Sequence, residues 1–291
     1  MSHTDSQSIF VSTNCIPGLQ SISSRVSMYQ NCGFNAIELG GGITVDDSSL
    51  SQITRTGAKF LIHNYFPPPQ ETFVLNLASE NNDILKRSLD MVSNAIDFAV
   101  HIGAPFYSVH AGFVTDPEFF DESSFVFPSP RSPDQADCAV SRFTTAMKTV
   151  VDYAERRGIG ILIENNVCSE QLRGKLLLQT AEEFLSLFSV LQSSHLGLLL
   201  DTGHLNVSAH TLGFDRASFI DKMVPYIKAM HIHDNNGIAD THQPIEPSSW
   251  VLEILRRPEF AALPLVIEAK FDNMAQLCRH VEWLRNELQR K

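Results

Sequence analysis

Short apolar runs alternate with longer segments of helical period along the whole chain. The runs are Ile9–Cys15, Asn35–Leu39, Lys59–His63, Pro105–His110, Gly158–Glu164, Leu196–Asp201, Lys228–His233 and Leu263–Glu268. Their largely aliphatic and β-branched character fits strands covered on both faces, as in a parallel sheet. Between them the pattern predicts helices over Ile22–Cys32, Ile84–Ile102, Ala136–Arg157, Thr180–Leu191, Asp215–Ile227, Ser248–Arg256 and Met274–Gln289. In Ile84–Ile102 the apolar positions Leu85, Leu89, Val92, Ile96 and Ala99 recur every third or fourth residue. Asp46, Asp47 or Ser48 is placed to cap a shorter helix within 43–54. Eight strand–helix units predict one (β/α)8 barrel over residues 1–291. A doubly wound open sheet is the alternative, but it wants a glycine-rich phosphate loop. Gly40-Gly41-Gly42 lacks the GxGxxG spacing and opens no clear helix.

Two connections are long, and both leave the C-terminal end of a predicted strand. Phe113–Asp134 holds Phe113, Phe119, Phe120, Phe125 and Phe127, with Pro117, Pro128, Pro130 and Pro133. That aromatic content predicts a packed lid. Asn64–Ser79 carries Pro67-Pro68-Pro69.

Composition narrows the class. A chain of 291 residues with 43% hydrophobic and 19% charged residues is ordinary for a globular protein. No run approaches ~18 apolar residues, so no membrane span is expected. Met1–Ser8 lacks a basic end followed by an apolar core, which sets a cytoplasmic location as the expectation. Cys15, Cys32, Cys138, Cys168 and Cys278 are scattered without a CxxC. Free thiols, each a small buried residue, are the expectation. The net charge of −11, without a basic stripe, argues against a nucleic-acid partner.

Polar residues gather at the C-terminal ends of the predicted strands, the face that carries the active site in such barrels. His63-Asn64 ends the third run, His110 the fourth and Glu164-Asn165-Asn166 the fifth, while Glu38, near the end of the second, is a candidate to shape the substrate pocket. Asp201 ends the sixth, with Gly203-His204 in what reads as its loop. The seventh carries His231 and His233 on one face, and Asp240 and His242 in its loop can return over the mouth. Glu268 ends the eighth, and Lys270 follows two residues on. Each residue alone has a structural explanation: a hydrogen-bonded core histidine, a cap, a turn asparagine or a rim ion pair. Together they are the ligand chemistry of Zn²⁺ or Mn²⁺, and so many carboxylates are costly to bury without cations. Tyr107 and Phe66 either shape the pocket or pack the core, and Trp250 and Trp283 are expected to pack.

The segments HNYF, SVHAG, ILIENN, LLLDTGH, MHIHDNNGIADTH and VIEAKF resemble the xylose isomerase-like TIM-barrel superfamily. It joins sugar isomerases and epimerases with the metal-dependent AP endonucleases. The epimerase branch implies one divalent cation held by Glu164, Asp201, His231 and Glu268, commonly Mn²⁺, with Zn²⁺, Mg²⁺ and Co²⁺ as alternatives. Glu170 and His204 would then contact sugar hydroxyls. The basic residue often found after the seventh-strand motif has no counterpart, since Gly237 stands in that neighbourhood. The endonuclease branch implies three zinc ions on His63, His110, Glu164, Asp201, His204, His231, Asp240, His242 and Glu268. Leu75-Asn76-Leu77 after HNYF also resembles that branch.

For the isomerase reading, the resemblance implies proton abstraction next to a carbonyl through a metal-stabilised enediolate. Glu164 and Glu268 would serve as both ligands and acid–base groups. His63, His110, His204 and His233 would position a small-molecule sugar or sugar derivative or complete a second metal site, while Lys270 pairs with a substrate anion or forms a rim salt bridge. A multi-zinc phosphodiesterase, a dehydratase or other lyase, and a carbohydrate-binding protein are the alternatives on this scaffold. A homodimer is the prior for this size and class.

Overall fold

A computed structural model describes residues 7–18, 21–42, 44–45, 47–120, 125–128 and 134–290. Eight parallel strands form a closed barrel. They are β1 (Ile9–Ser12), β2 (Ala36–Leu39), β3 (Lys59–His63), β4 (Phe106–His110), β5 (Gly160–Glu164), β6 (Leu196–Asp201), β7 (Ile227–Ile232) and β8 (Leu265–Ile267). Neighbours in sequence pair in space, and β8 closes on β1 with Ile9 opposite Leu265 and Val11 opposite Ile267.

The period of two along a strand divides the barrel interior into an apolar plug and a polar layer. Phe10, Leu61, Phe106, Leu162, Leu199, Ala229 and Val266 form one buried cluster. Two residues further along, towards the C-terminal mouth, stand Ser12, His63, Ser108, Glu164, Asp201, His231 and Glu268. One step of two residues on each strand thus converts packing into chemistry.

The larger core lies between strands and helices and includes Tyr29, Phe143, Phe184 and Phe260. The helices are α1 (Ile22–Asn31), α2 (Asp47–Ile53), α3 (Asn82–His101), α4 (Gln135–Arg157), α5 (Ala181–Val190), α6 (Thr202–Leu212), α7 (Arg216–Met223), α8 (Trp250–Leu255) and α9 (Met274–Gln289). Side-chain caps start several of them: Ser21 on α1, Asn81 on α3, and a reciprocal Thr180–Glu183 capping box on α5. Helices α4 and α6 end on Gly158 and Gly213, both left-handed, with φ of 69° and 74°.

The pattern of the sequence locates every barrel strand, with β3 and β6 placed to the residue. Three expectations are corrected. Residues 202–212 form helix α6, not a loop; its surroundings bury Thr202, Gly203, His204, Leu205, Val207, Ser208, Ala209 and Thr211, which removes the polar face that marks a helix in sequence. Helix α7 stops at Met223, because Ile227 already opens β7. Cys32 and Cys138 are exposed, whereas Cys15 and Cys168 are buried; all five cysteines are free.

The capping position Asp46 lies outside the described residues, and α2 begins at Asp47. Part of the Phe113–Asp134 connection also lies outside them; its described part contains a two-stranded ribbon, Phe119–Phe120 with Phe125–Val126. Phe113 packs on Phe125 and Phe127, with ring centroids 5.2 and 5.4 Å apart. Tyr107 and Phe66 are fully buried, the former donating to Asn64 O at 2.8 Å, so both pack. Trp283 packs partly buried against the core, and Trp250 lies beneath the Arg216 guanidinium, 4.3 Å from its ring centroid. Among the described residues no helix is long and apolar enough to cross a membrane.

The plug is the test of this architecture. Leu199→Ala should cost about 2–5 kcal/mol, because Leu199 is fully buried and the closed barrel cannot collapse around the gap. Denaturant unfolding measures it; a loss below about 1 kcal/mol would show that the plug does not bear on stability.

Candidate metal centre

The polar layer is tied into place by main-chain and amide contacts. Asn165, just past β5, accepts the Asp201 N–H at 2.8 Å and donates to Asp201 O at 3.0 Å, locking the ends of β5 and β6 together. Asp201 in turn caps α6, its Oδ1 accepting the His204 N–H at 2.7 Å. Thr202 Oγ1 joins β6 to β7 through His231 O and His233 O. Ser108 contacts His63 Nδ1 at 3.1 Å and fixes that ring. Gly203 leaves room for His233: a Cβ there would sit 2.0 Å from the ring. Thr202 and Ser108 were not legible as site residues, because a hydroxyl in a strand or helix start carries no distinctive spacing.

The side chains converge. His231 Nδ1 lies 3.2 Å from Glu164, 3.3 Å from Glu268 and 3.7 Å from Asp201, while its Nε2 is 2.9 Å from Glu38. Glu164, Asp201, His231 and Glu268 each present a ligand atom, all within 4.8 Å of one another. His63, His110 and Glu164 form a second such group, with His110 Nε2 2.8 Å from Glu164 Oε2. His233, His242 and Glu268 form a third. Asp240 bridges this side, 3.4 Å from His204 and 3.1 Å from His242. His233 Nε2 meets Asp201 at 3.0 Å. His242 adopts a left-handed φ of 48°, a costly conformation for a non-glycine residue, at the tip of this cluster.

All six histidines and four carboxylates expected from the strand-end pattern are therefore brought together, with Glu38 beneath them. Two predicted site residues stand apart. Glu170 is exposed and held in a two-contact ion pair by Arg173, at 2.8 and 3.1 Å, and none of its contacts is with the cluster. Lys270 is exposed on a cavity wall beside Glu268 and has no ion-pair partner among the described residues, so no rim salt bridge forms.

Electrostatics in this layer are a contest between burial and neighbours. Burial pushes the Glu38 carboxyl up to about 7, against the pull of His231. Burial also works to raise Glu164 and Asp201, but surrounding imidazoles hold both well below the usual carboxylate range. Glu268 is likewise pushed by burial and brought down by His231 to about 2. His63 is driven down to about 3 by burial and stays neutral. Burial opposes protonation of His204 and His231 too, but their carboxylate neighbours raise both well above the usual histidine value.

The donor set fits a divalent cation. Glu38 Oε1, His233 Nδ1 and His242 Nδ1 are buried without a hydrogen-bond partner, and Glu164 Oε2, though 2.8 Å from His110 Nε2, forms no hydrogen bond with it. Orphaned acceptors of this kind are expensive inside a protein unless a cation takes them up. Imidazole and carboxylate without thiolate suit Zn²⁺ or Mn²⁺.

A closed (β/α)8 barrel with this ligand layer at its C-terminal mouth defines a class of scaffold shared by sugar isomerases, epimerases and endonucleases. The chain belongs to the xylose isomerase-like TIM-barrel family, which it matches over residues 27–287. It is 28% identical over 219 residues to an uncharacterised protein of Methanocaldococcus jannaschii, covering 74% of this chain and 67% of that protein. It is 25% identical over 214 residues to a probable endonuclease 4 of Thermoplasma acidophilum, covering 69% and 66%. The matched segments thus span about two thirds of these relatives. The fold is similar to that of a D-tagatose 3-epimerase-like protein, with a TM-score of 0.76, 22% identity and 97% of each chain covered.

Cation uptake should release protons. His204 and His231 hold their protons above the usual histidine value in the cation-free protein, so a cation must displace them at neutral pH. Affinity should accordingly fall as pH falls. Titration calorimetry with Zn²⁺ or Mn²⁺ in buffers of different ionisation enthalpy checks this; a heat independent of the buffer would contradict it.

Proposed function

We propose that the protein is a divalent-metal-dependent isomerase or epimerase of a small sugar or sugar derivative. The observation that carries this reading is the convergence of Glu164 and Glu268 on one point, 3.2 and 3.3 Å from the same His231 nitrogen. They arrive from β5 and from the end of β8, so they can address a bound substrate from two sides. Glu268 lines an open cavity, whereas Glu164 is only 1% exposed.

A divalent cation held by Glu164, Asp201, His231 and Glu268 would supply Lewis acidity towards a substrate carbonyl. The chain's own groups do the rest. Both carboxylates are ionised at neutral pH, the state needed to accept a proton from the carbon next to the carbonyl. Removal by one and return by the other, from the opposite face, inverts that carbon; return to the adjacent carbon interconverts aldose and ketose. His110, partly open to solvent and 2.8 Å from Glu164, is placed to contact a hydroxyl or relay a proton.

A phosphodiesterase is the second reading, favoured by the two further ligand groups on His63–His110–Glu164 and His233–His242–Glu268. The connections after β3 and β4 weigh against a polyanionic substrate, since they carry Glu71, Glu80, Asp116 and Glu118.

Solvent proton exchange tests the proposal. With Mn²⁺ or Co²⁺ in D₂O, a panel of ketoses and their phosphates should include one that gains deuterium next to its carbonyl. Glu164→Gln and Glu268→Gln should each slow exchange by about 10²–10⁴-fold. Metal-dependent cleavage of abasic-site DNA, with no exchange on any sugar, would replace this reading with the second.

A further inference from the structure

A cavity of about 390 Å³ opens beside the ligand layer, among the connections that follow β1, β2 and β8. Glu268 and His242 form the side nearest the metal centre, and Gly41–Gly42 leave another side bare of side chains. Two cations, Arg25 and Lys270, also line the cavity, with Asn14 and residues 16–18.

Arg25, on α1, is only 2% exposed. Its terminal nitrogens donate to the carbonyls of Thr13, Ile16 and Gly18. Its Nε–H is buried with no partner. Among the described residues no carboxylate lies within ion-pair distance of it. A buried guanidinium without a counter-charge is unfavourable, and carbonyl dipoles offset that only in part.

Lys270 is free of ion pairs among the described residues, yet its backbone is anchored. Its N–H donates to His242 O at 2.9 Å, and the next N–H, of Phe271, donates to Cys15 O at 2.8 Å. The β8 connection is thereby tied to those of β7 and β1, which holds the lysine stem over the cavity. This wall carries Arg25 and Lys270 beside Glu268, whereas the connections after β3 and β4 carry Glu71, Glu80, Asp116 and Glu118.

We infer that this cavity is an oxyanion subsite: the sugar taken up at the metal centre is an acidic one, its phosphate or carboxylate group seated against Lys270 with Arg25 supplying buried positive potential. The inference rests on the reading of the mouth as a sugar site and names the class of sugar. One such group, placed at the end remote from the reacting carbonyl, leaves that carbonyl beside Glu268. Phosphate and carboxylate share the chemistry that the wall recognises.

Binding of fructose, fructose 6-phosphate and gluconate to the metal-loaded protein, read by calorimetry without turnover, tests it. At least one acidic sugar should bind about tenfold more tightly than fructose, and the stronger of the two identifies the oxyanion. Lys270→Met should weaken that ligand about tenfold and leave fructose unchanged, and Lys270→Arg should restore it. Lys270 is exposed and unpaired, so these variants keep the fold. Equal affinities for all three ligands, no binding of either acidic sugar, or undiminished binding by Lys270→Met, as expected if the metal alone held the anion, would each overturn the inference. A Lys270-dependent preference in a protein that exchanges no sugar proton would sustain the subsite while refuting the isomerase reading. Proton exchange confined to neutral sugars would refute the subsite alone.

Discussion

The buried meeting of five carboxylates with six imidazoles at the barrel mouth is the constraint on which the rest of the structure depends. Glu38, Glu164 and Asp201 are almost wholly withdrawn from water, and His231 and His233 are fully buried among them. In a low dielectric such a layer is tolerable only when the charges balance. Protonated His204 and His231 offset part of the carboxylate charge, and this stabilisation is squeezed from two sides. Glu164, Asp201 and Glu268, held below their usual range, lose their contribution as pH falls through the acid range; His204 and His231, held above theirs, lose it as pH rises through their folded-state values. A divalent cation held by these carboxylates would supply positive charge without a proton on each imidazole.

The geometry follows from a simple division along each strand. The inward residue in the middle packs the plug, and the next inward residue enters the polar layer. Rigidity comes from contacts that make no ligand themselves: the Asn165 amide across β5 and β6, the Thr202 hydroxyl across β6 and β7, and Ser108 behind His63. Asp201 caps helix α6 and also stands in the polar layer, and Gly203 makes space for His233. Such support leaves the ligand layer little freedom to relax, which suits a centre that must present one geometry to a cation.

Much of this was legible in the sequence because the strands are buried on both faces and read as continuous apolar runs that end in His, Asp or Glu. The strand-end pattern located the histidines and carboxylates that the barrel brings together, and the family resemblance implied roles that spacing alone left open. Helix α6 was hidden because burial on nearly every side erases amphipathic period. Glu170 was misplaced by motif matching: a position six residues past Glu164 lies on a short helical turn, where Arg173 draws the carboxylate outward. Lys270 was open between a rim salt bridge and a substrate contact; a side chain's partner depends on which connections meet across the mouth, and that is a property of the closed barrel.

The number of cations bound per chain tests the central claim most directly. Elemental analysis of protein purified without chelator or added metal should find at least one divalent ion per chain, held by Glu164, Asp201, His231 and Glu268. Substitution of Asp201 by Asn should remove it. Protein that contains no metal, and takes up none on titration with Zn²⁺ or Mn²⁺, would contradict the account: the buried layer would then be an ion-pair network, balanced by its own histidines.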